Sequence, residues 1–271
     1  MSRLRSLVRW AWSLSSLGAG AAGRAWMFTL VLLLPLKMRL FPCAAIPVRL
    51  RLGREKRWFW FRDSSELFAL DEIFNGGEYA AVSGRHPETI VDLGANVGQA
   101  ALWFRAQFPN ARIFCVEPDP RTFATLTRNL GGDPLVTLRQ FAVSASDGWV
   151  SLERTPNSSW GTRVADTDAP DATRVRAVSI DTLFDAHELD EVDLMKVDIE
   201  GQEHAALCSG RAGARAGLVV GELHGDLLGM PPEVAVEEMR RSGEFDASEV
   251  DGDIFVLSRH ERGQERADAQ V

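Results

Sequence analysis

TIVDLGANVG, Thr89–Gly98, decides how this chain is read. An apolar run, TIVDL, ends at a glycine, and apolar residues resume at helical spacing from Val97 to Phe108. Strand, tight turn and helix form the setting a nucleotide-binding loop needs, because the turn aims backbone N–H groups at the ligand. Gly94 and Gly98 permit the turn and a close backbone approach. Asn96 stands where a dinucleotide fold wants a second glycine. Its side chain would crowd a pyrophosphate but can donate hydrogen bonds to a carboxylate.

Outward from this loop the pattern repeats. RIFCVE (112–117) reads as the next strand, and Glu117 ends it nineteen residues after Gly98. An acid there accepts both ribose hydroxyls of a bound nucleoside. The two features, at the carboxyl ends of adjacent strands, define one crevice that suits NAD or S-adenosylmethionine (SAM). Asn96 and the missing phosphate-contacting glycine tilt the choice to SAM, with Asp92, Gly94, Asn96 and Gly98 around its methionine moiety. Arg121–Leu130 reads as a helix and VTLRQFAV (136–143) as a third strand, whose end at Ala142 is expected against adenine. Strands at Gly148–Arg154 and Arg174–Val178 flank a polar stretch of nineteen residues, 155–173. A loop of that length is expected to act as a lid, with Asn157–Arg163 ordering over the crevice and Trp160 shielding the acceptor. Then follow a helix (Ser179–His187), a strand (DLMKVDIEG, 193–201), a helix (Gln202–Ser209), a strand (LVVGELH, 218–224), a helix (Pro231–Ser242) and a closing strand within Glu249–Leu257. Such alternation implies right-handed βαβ units and a parallel sheet.

Asp198 and Glu200 leave the fourth strand on one face, as Glu222 and His224 leave the fifth. Carboxylates and an imidazole gathered at strand ends serve as general base, cofactor clamp or metal ligands. His224 is the expected proton acceptor, with Glu222 holding its tautomer and Asp198 positioning the acceptor or the SAM amino group. The alternative has Asp198, Glu200, Glu222 and His224 around a divalent ion. Glu203 and His204 read as helix-start residues that satisfy free N–H groups.

The 271 residues are 45% hydrophobic and 25% charged with a net charge of −8, which excludes a disordered or collagen-like chain. Cys43, Cys115 and Cys208 lie far apart with no CxxC spacing. That argues against a disulfide framework or zinc module and fits a reducing, cytoplasmic setting. Residues 1–62 hold 12 Lys and Arg against the single acid Glu55, whereas residues 63–271 hold 18 against 37 acids. An acidic body argues against nucleic acid there and leaves attraction to anionic surfaces to the first sixty residues.

Ala25–Leu36 is an apolar or neutral run of twelve residues between Arg24 and Lys37, interrupted near its end by Pro35. It is short for a bilayer span and lacks a cleavage site for a secretory signal. Three readings remain: a helix lying in a membrane surface, with Trp10, Trp12 and Trp26 at headgroup level, a helix packed on the domain, or a true span. Residues 47–62 alternate around Gly53–Lys56 as a hairpin does, and Asp63–Glu66 opens a helix with a capping box.

DLGANVG (92–98), VEPDP (116–120), KVDIEGQEHAAL (196–207) and ELH (222–224), with GEY (77–79) and NSSWGTRV (157–164), together resemble the FkbM family of SAM-dependent methyltransferases. The resemblance runs from about Glu66 to about Leu257. It implies an α/β, Rossmann-like class I methyltransferase fold, a mostly parallel sheet with helices on both faces. It also implies methyl transfer to a hydroxyl of a sugar, glycan or other natural product. The chain then divides into a helical and hairpin extension (1–62), a methyltransferase domain (63–258) and a frayed tail (259–271). Expected partners are a small-molecule or glycan acceptor, no nucleic acid, and a membrane surface through residues 1–40, which would make the protein peripheral. Two rivals stay open: an NAD-dependent oxidoreductase, and a nucleoside-binding or membrane-associated protein without turnover.

Overall fold

A computed structural model describes residues 2–259 other than 43, 54, 154–162 and 166–172. Two helices come first, α1 (Ser2–Ser15) and α2 (Gly20–Leu40), followed by a hairpin of β1 (Ile46–Leu52) and β2 (Glu55–Phe61). Next are α3 (Ser64–Asp71), a π-helical turn at Glu72–Gly76, β3 (Thr89–Leu93), α4 (Gln99–Gln107), β4 (Arg112–Val116), α5 (Pro120–Leu130) and β5 (Val136–Arg139). Four short strands, β6 (Ala142–Val143), β7 (Gly148–Glu153), β8 (Arg163–Ala165) and β9 (Thr173–Val178), form a separate sheet. The chain continues through α6 (Ile180–Ala186), β10 (Val192–Val197), α7 (Glu203–Cys208), β11 (Ala216–Glu222), α8 (Gly225–Leu228), α9 (Pro232–Ser242), β12 (Ala247–Asp251) and β13 (Ile254–Ser258).

The main sheet has seven strands in the order β12-β13-β11-β10-β3-β4-β5, with β11 through β5 parallel and a β12–β13 hairpin antiparallel at the edge. Strand alternation sorts its side chains between two cores. Ile90, Ile113, Leu194 and Leu218 face α4 and α5 through Ala101, Phe104, Leu126 and Leu130. Their neighbours Val91, Phe114, Met195 and Val219 face α6, α7 and α9 through Leu183, Phe184, Leu207, Val236 and Met239. Helices thus cover both faces, which is the Rossmann-like arrangement.

The first 62 residues join the domain's own core. Met27, Leu30, Val31 and Leu34 of α2 and Val48, Leu50, Phe59 and Phe61 of the hairpin lie in one cluster with Leu67 and Leu70 of α3 and Phe104 of α4. Polar bonds reinforce the join: the Trp60 N–H donates to Asn129 Oδ1 at 2.7 Å, and Arg57 meets Asp133 at 2.9 Å. Asp63 caps α3 by accepting the Ser65 and Glu66 N–H groups, as the motif requires. The reciprocal Glu66 bond reaches one residue further back, to the Arg62 N–H.

Three expectations need correction. The third strand is not continuous over 136–143: β5 stays in the main sheet, while β6 pairs with β9 in the second sheet. The switch at Gln140–Phe141 is what carries Ala142 away from β5. The 155–173 stretch contains β8, antiparallel to β7 in the register Leu152↔Val164. Trp160 and most of the expected lid lie outside the described residues, as do 260–271 of the tail. Finally, α2 runs through Pro35 to Leu40.

Candidate active site

Between β3 and β10 the strand order reverses, and a cavity of about 360 Å³ opens there at the carboxyl ends of the strands. Glu117, Phe141 and Ala142 line one part, and Asp198, Glu200, Glu222 and His224 line another. Gly94 adopts φ +76°, and a Cβ on it would stand 1.8 Å from the Asp198 carbonyl oxygen. Only glycine lets the β3 turn approach the end of β10 this closely. Asn96 also lines the cavity. Its enclosed side-chain Oδ1 has no hydrogen-bond partner among the described residues, which leaves that oxygen to accept from a ligand donor.

Glu117 is buried where the sequence placed it. Its Oε2 accepts the Asn96 N–H at 3.0 Å and its Oε1 the Asp119 N–H at 2.8 Å. Burial pushes this carboxyl from 4.5 up to about 8, against the opposing pull of the two backbone donors. Ribose hydroxyls bond more strongly to the ionised form, so SAM binding is expected to draw a proton off this carboxyl below about pH 8. The sign is fixed: the raised pKa makes unliganded stability fall as pH rises from 4.5 through about 8, and ligand affinity rise over the same window. Calorimetry in buffers of different ionisation enthalpy should record proton release at neutral pH and none well above pH 8. Proton uptake would contradict the assignment.

Two expected cofactor residues sit elsewhere. Asp92 is fully buried and does not line the cavity; it pairs with Lys196 Nζ at 3.3 Å. Lys196, itself buried, donates to the Gly94 carbonyl at 2.7 Å and pairs with Asp198 at 3.2 Å. Burial alone would pull this ammonium down, but Asp198 and Asp92 outweigh it and hold it above the ordinary lysine range. Asp92 therefore acts through Lys196, which ties the β3 turn to the end of β10. Gly98 also lies off the cavity. A Cβ there would stand 2.8 Å from Leu130 Cδ1, so its φ of +98° lets α4 start against α5.

The other end gathers the expected acids around His224, with a different carboxylate holding the ring. Glu203, completely buried, accepts the Ile199 N–H at 2.9 Å and the Gly201 N–H at 3.0 Å, and meets His224 Nδ1 at 3.1 Å. It replaces Glu222 as the group that fixes the tautomer. Nε2 faces Glu200 at 3.2 Å and Asp198 at 4.0 Å. Asp198 and Glu200 do not share a strand face, since β10 ends at Val197; Glu200, at φ +54°, turns back toward the ring. Burial works against charge on His224, yet the Glu203 bond and the charges of Glu203, Glu200 and Asp198 raise it to about 9. The carboxylates around the ring thus favour its protonated form. Glu222 is held at about 7, chiefly by burial and then by Asp198. His204 points away, to Glu238 at 2.8 Å.

Lys196, Glu203 and Glu78 are the site residues that sequence reasoning missed. Glu78 lines the cavity, and burial raises its carboxyl; the GEY segment was its signal. The wall carries Glu72, Glu78, Glu117, Asp198, Glu200 and Glu222 against Lys196 and His224. Such a wall repels a pyrophosphate and attracts a sulfonium and an ammonium.

Fold and site together define a Rossmann-like class I methyltransferase. Residues 92–240 match the methyltransferase FkbM domain. The chain belongs to that family and is a SAM-dependent methyltransferase. It is 29% identical over 178 residues to the hexuronic acid methyltransferase AglP of Haloferax volcanii, covering 64% of this chain and 71% of that one. It is 30% identical over 169 residues to the methyltransferase sdnD of Sordaria araneosa (50% and 65%), and 28% identical over 142 residues to the 2-O-methyltransferase NoeI of Sinorhizobium fredii (45% and 57%).

Proposed function

We propose that this methyltransferase acts on oxygen and that its acceptor is a hydroxyl of a sugar or glycan. The carrying observation is the Asp198–Glu222–His224 group, at the end of the cavity away from Glu117 and Ala142. SAM, when bound, supplies a methyl group already activated by its sulfonium. The protein's own task is to align the acceptor and take the hydroxyl proton. Glu222 and His224 are placed to hold and move that proton, and Asp198, fixed by Lys196, is placed to orient the acceptor or the cofactor's amino group. Glu117 and Asn96 would hold the ribose and methionine parts, with Phe141 and Ala142 beside the base. The names of the relatives, one a hexuronic acid methyltransferase and one a 2-O-methyltransferase, support a sugar acceptor.

Transfer of labelled methyl to a panel of sugars and uronic acid glycosides tests this. The product should be a methyl ether that survives mild alkali. A base-labile methyl ester would contradict attack by a hydroxyl.

A second reading has a divalent ion on Asp198, Glu222 and His224, whose ligand atoms lie within 4.8 Å of one another. Glu203 on the far ring nitrogen is the outer partner such a ligand histidine needs. Activity lost in EDTA and restored by Mg²⁺ or Mn²⁺ selects this reading; unaffected activity rejects it.

Glu117→Ala should cost roughly 2 kcal/mol of SAM affinity, about thirtyfold, because two charge-assisted ribose bonds are lost. Unchanged calorimetric affinity would remove Glu117 from the cofactor site.

A further inference from the structure

The N-terminal helices carry an exposed apolar face that the methyl-transfer site does not use. α2 is divided lengthwise. Met27, Leu30, Val31 and Leu34 point into the core, while Trp26, Leu33, Leu36 and Leu40 are 46%, 50%, 54% and 57% exposed. Every exposed residue from Ala25 to Leu36 is uncharged, and exposed Arg24 and Arg39 bracket the run. On α1, Leu4, Val8 and Trp12 are exposed at a spacing of four, beside exposed Arg5 and Arg9. The Trp12 ring meets Phe28 edge-on at 6.4 Å, which joins the two stripes. The Trp26 indole donates to the Pro47 carbonyl at 3.1 Å, which extends the face to β1. On the hairpin, Arg49 lies over the exposed Trp58 ring at 5.8 Å. Trp10, expected in this face, turns inward against Phe68.

Charge identifies the occupant. Among the described residues no carboxylate is paired with Arg5, Arg9, Arg24, Arg39 or Arg49. The whole segment 1–62 holds 12 bases against one acid. Apolar and aromatic side chains rimmed by unpaired arginines match a leaflet of anionic lipid, in which the apolar groups enter the acyl boundary and the arginines meet the headgroups. Two copies joined through this face by a two-fold would set like charges against each other. A span is the third possibility, since α2 is long and apolar enough to cross a bilayer. It would strip the buried half of α2 from Leu50, Phe59, Phe61 and Leu67 and free Lys37, whose ammonium is bonded to the Arg62 and Pro42 carbonyls.

We propose that α1 and the outer side of α2 dock this protein on anionic membrane surfaces, the helices lying in the headgroup plane and the domain intact. The full chain should float with vesicles of phosphatidylcholine and phosphatidylglycerol, not with phosphatidylcholine alone, and high salt should release it. Arg5→Gln, Arg9→Gln and Arg24→Gln together should weaken binding about a hundredfold, at about fivefold per arginine near the surface. Leu33→Ser with Leu36→Ser should abolish binding. All five positions are exposed, so thermal unfolding and SAM affinity should match the wild type. Equal flotation with both vesicles, or none with either, would overturn the proposal. So would retention through an alkaline carbonate wash, which indicates a span, or a vesicle-indifferent dimer that the serine pair dissociates.

Discussion

His224→Ala should slow methyl transfer by roughly a hundredfold or more while leaving SAM affinity unchanged. The ring meets buried Glu203 on one nitrogen and faces Glu200 and Asp198 with the other. Its removal leaves three carboxylates without the cation that balances them and the acceptor without its proton partner. The loss should appear in kcat with a proton acceptor, and in kcat and metal affinity together if a divalent ion is held there. Because the cofactor-binding end does not include His224, calorimetric affinity for SAM separates this effect from a collapsed cavity. Transfer at the wild-type rate would remove His224 from the reaction and leave Glu222 and Asp198 to carry it.

Lys196→Met should destabilise the fold by about 3–5 kcal/mol, the cost of leaving a buried charge without its partner. Asp92 is completely enclosed, and Lys196 is the cation beside it. Burial already raises the Asp92 carboxyl. Without the ammonium, that carboxyl must either stay charged in the core or take up a proton. The deficit should therefore shrink as pH falls and Asp92 is protonated, and grow as pH rises. Urea unfolding at two pH values measures both. Asp92→Asn with Lys196→Met should recover part of the loss, since no buried charge then remains. A single variant as stable as the wild type would show that the pair does not hold the turn. On a domain stability of about 5–15 kcal/mol, the predicted loss is large enough to be unmistakable.

The central sheet was legible in the sequence because its inner strands are buried on both faces and its helices on one. TIVDL and LMKV carry the first pattern, and the Pro120–Leu130 helix the second. Glu117 was legible because one side chain at one strand end has a geometric task. Lys196 was not. A lysine in an apolar run reads as a solvent-facing residue, and only the packed sheet shows Asp92 and Asp198 on either side of it. Glu203 read as a helix-start acid, and it does accept two backbone N–H groups there. Its contact with His224 depends on how far β11 runs before the chain turns, which periodicity does not define. The same limit applies to Asp198 and Glu200, placed together by a loop after β10, and to Ala142, carried to the cavity by a switch between sheets. Asp92 and Gly98 share a motif with Gly94 and Asn96. Motif spacing does not say which members face the ligand and which hold the turn.

Calorimetric titration of the full chain with SAM, and in parallel with NAD, tests the central claim most directly. The acid-lined cavity, the unpartnered Asn96 Oδ1 and Glu117 predict saturable SAM binding with one proton-linked site, and no binding of NAD, whose pyrophosphate Asn96 would crowd and the acidic wall would repel. Binding of NAD with no heat from SAM would contradict it.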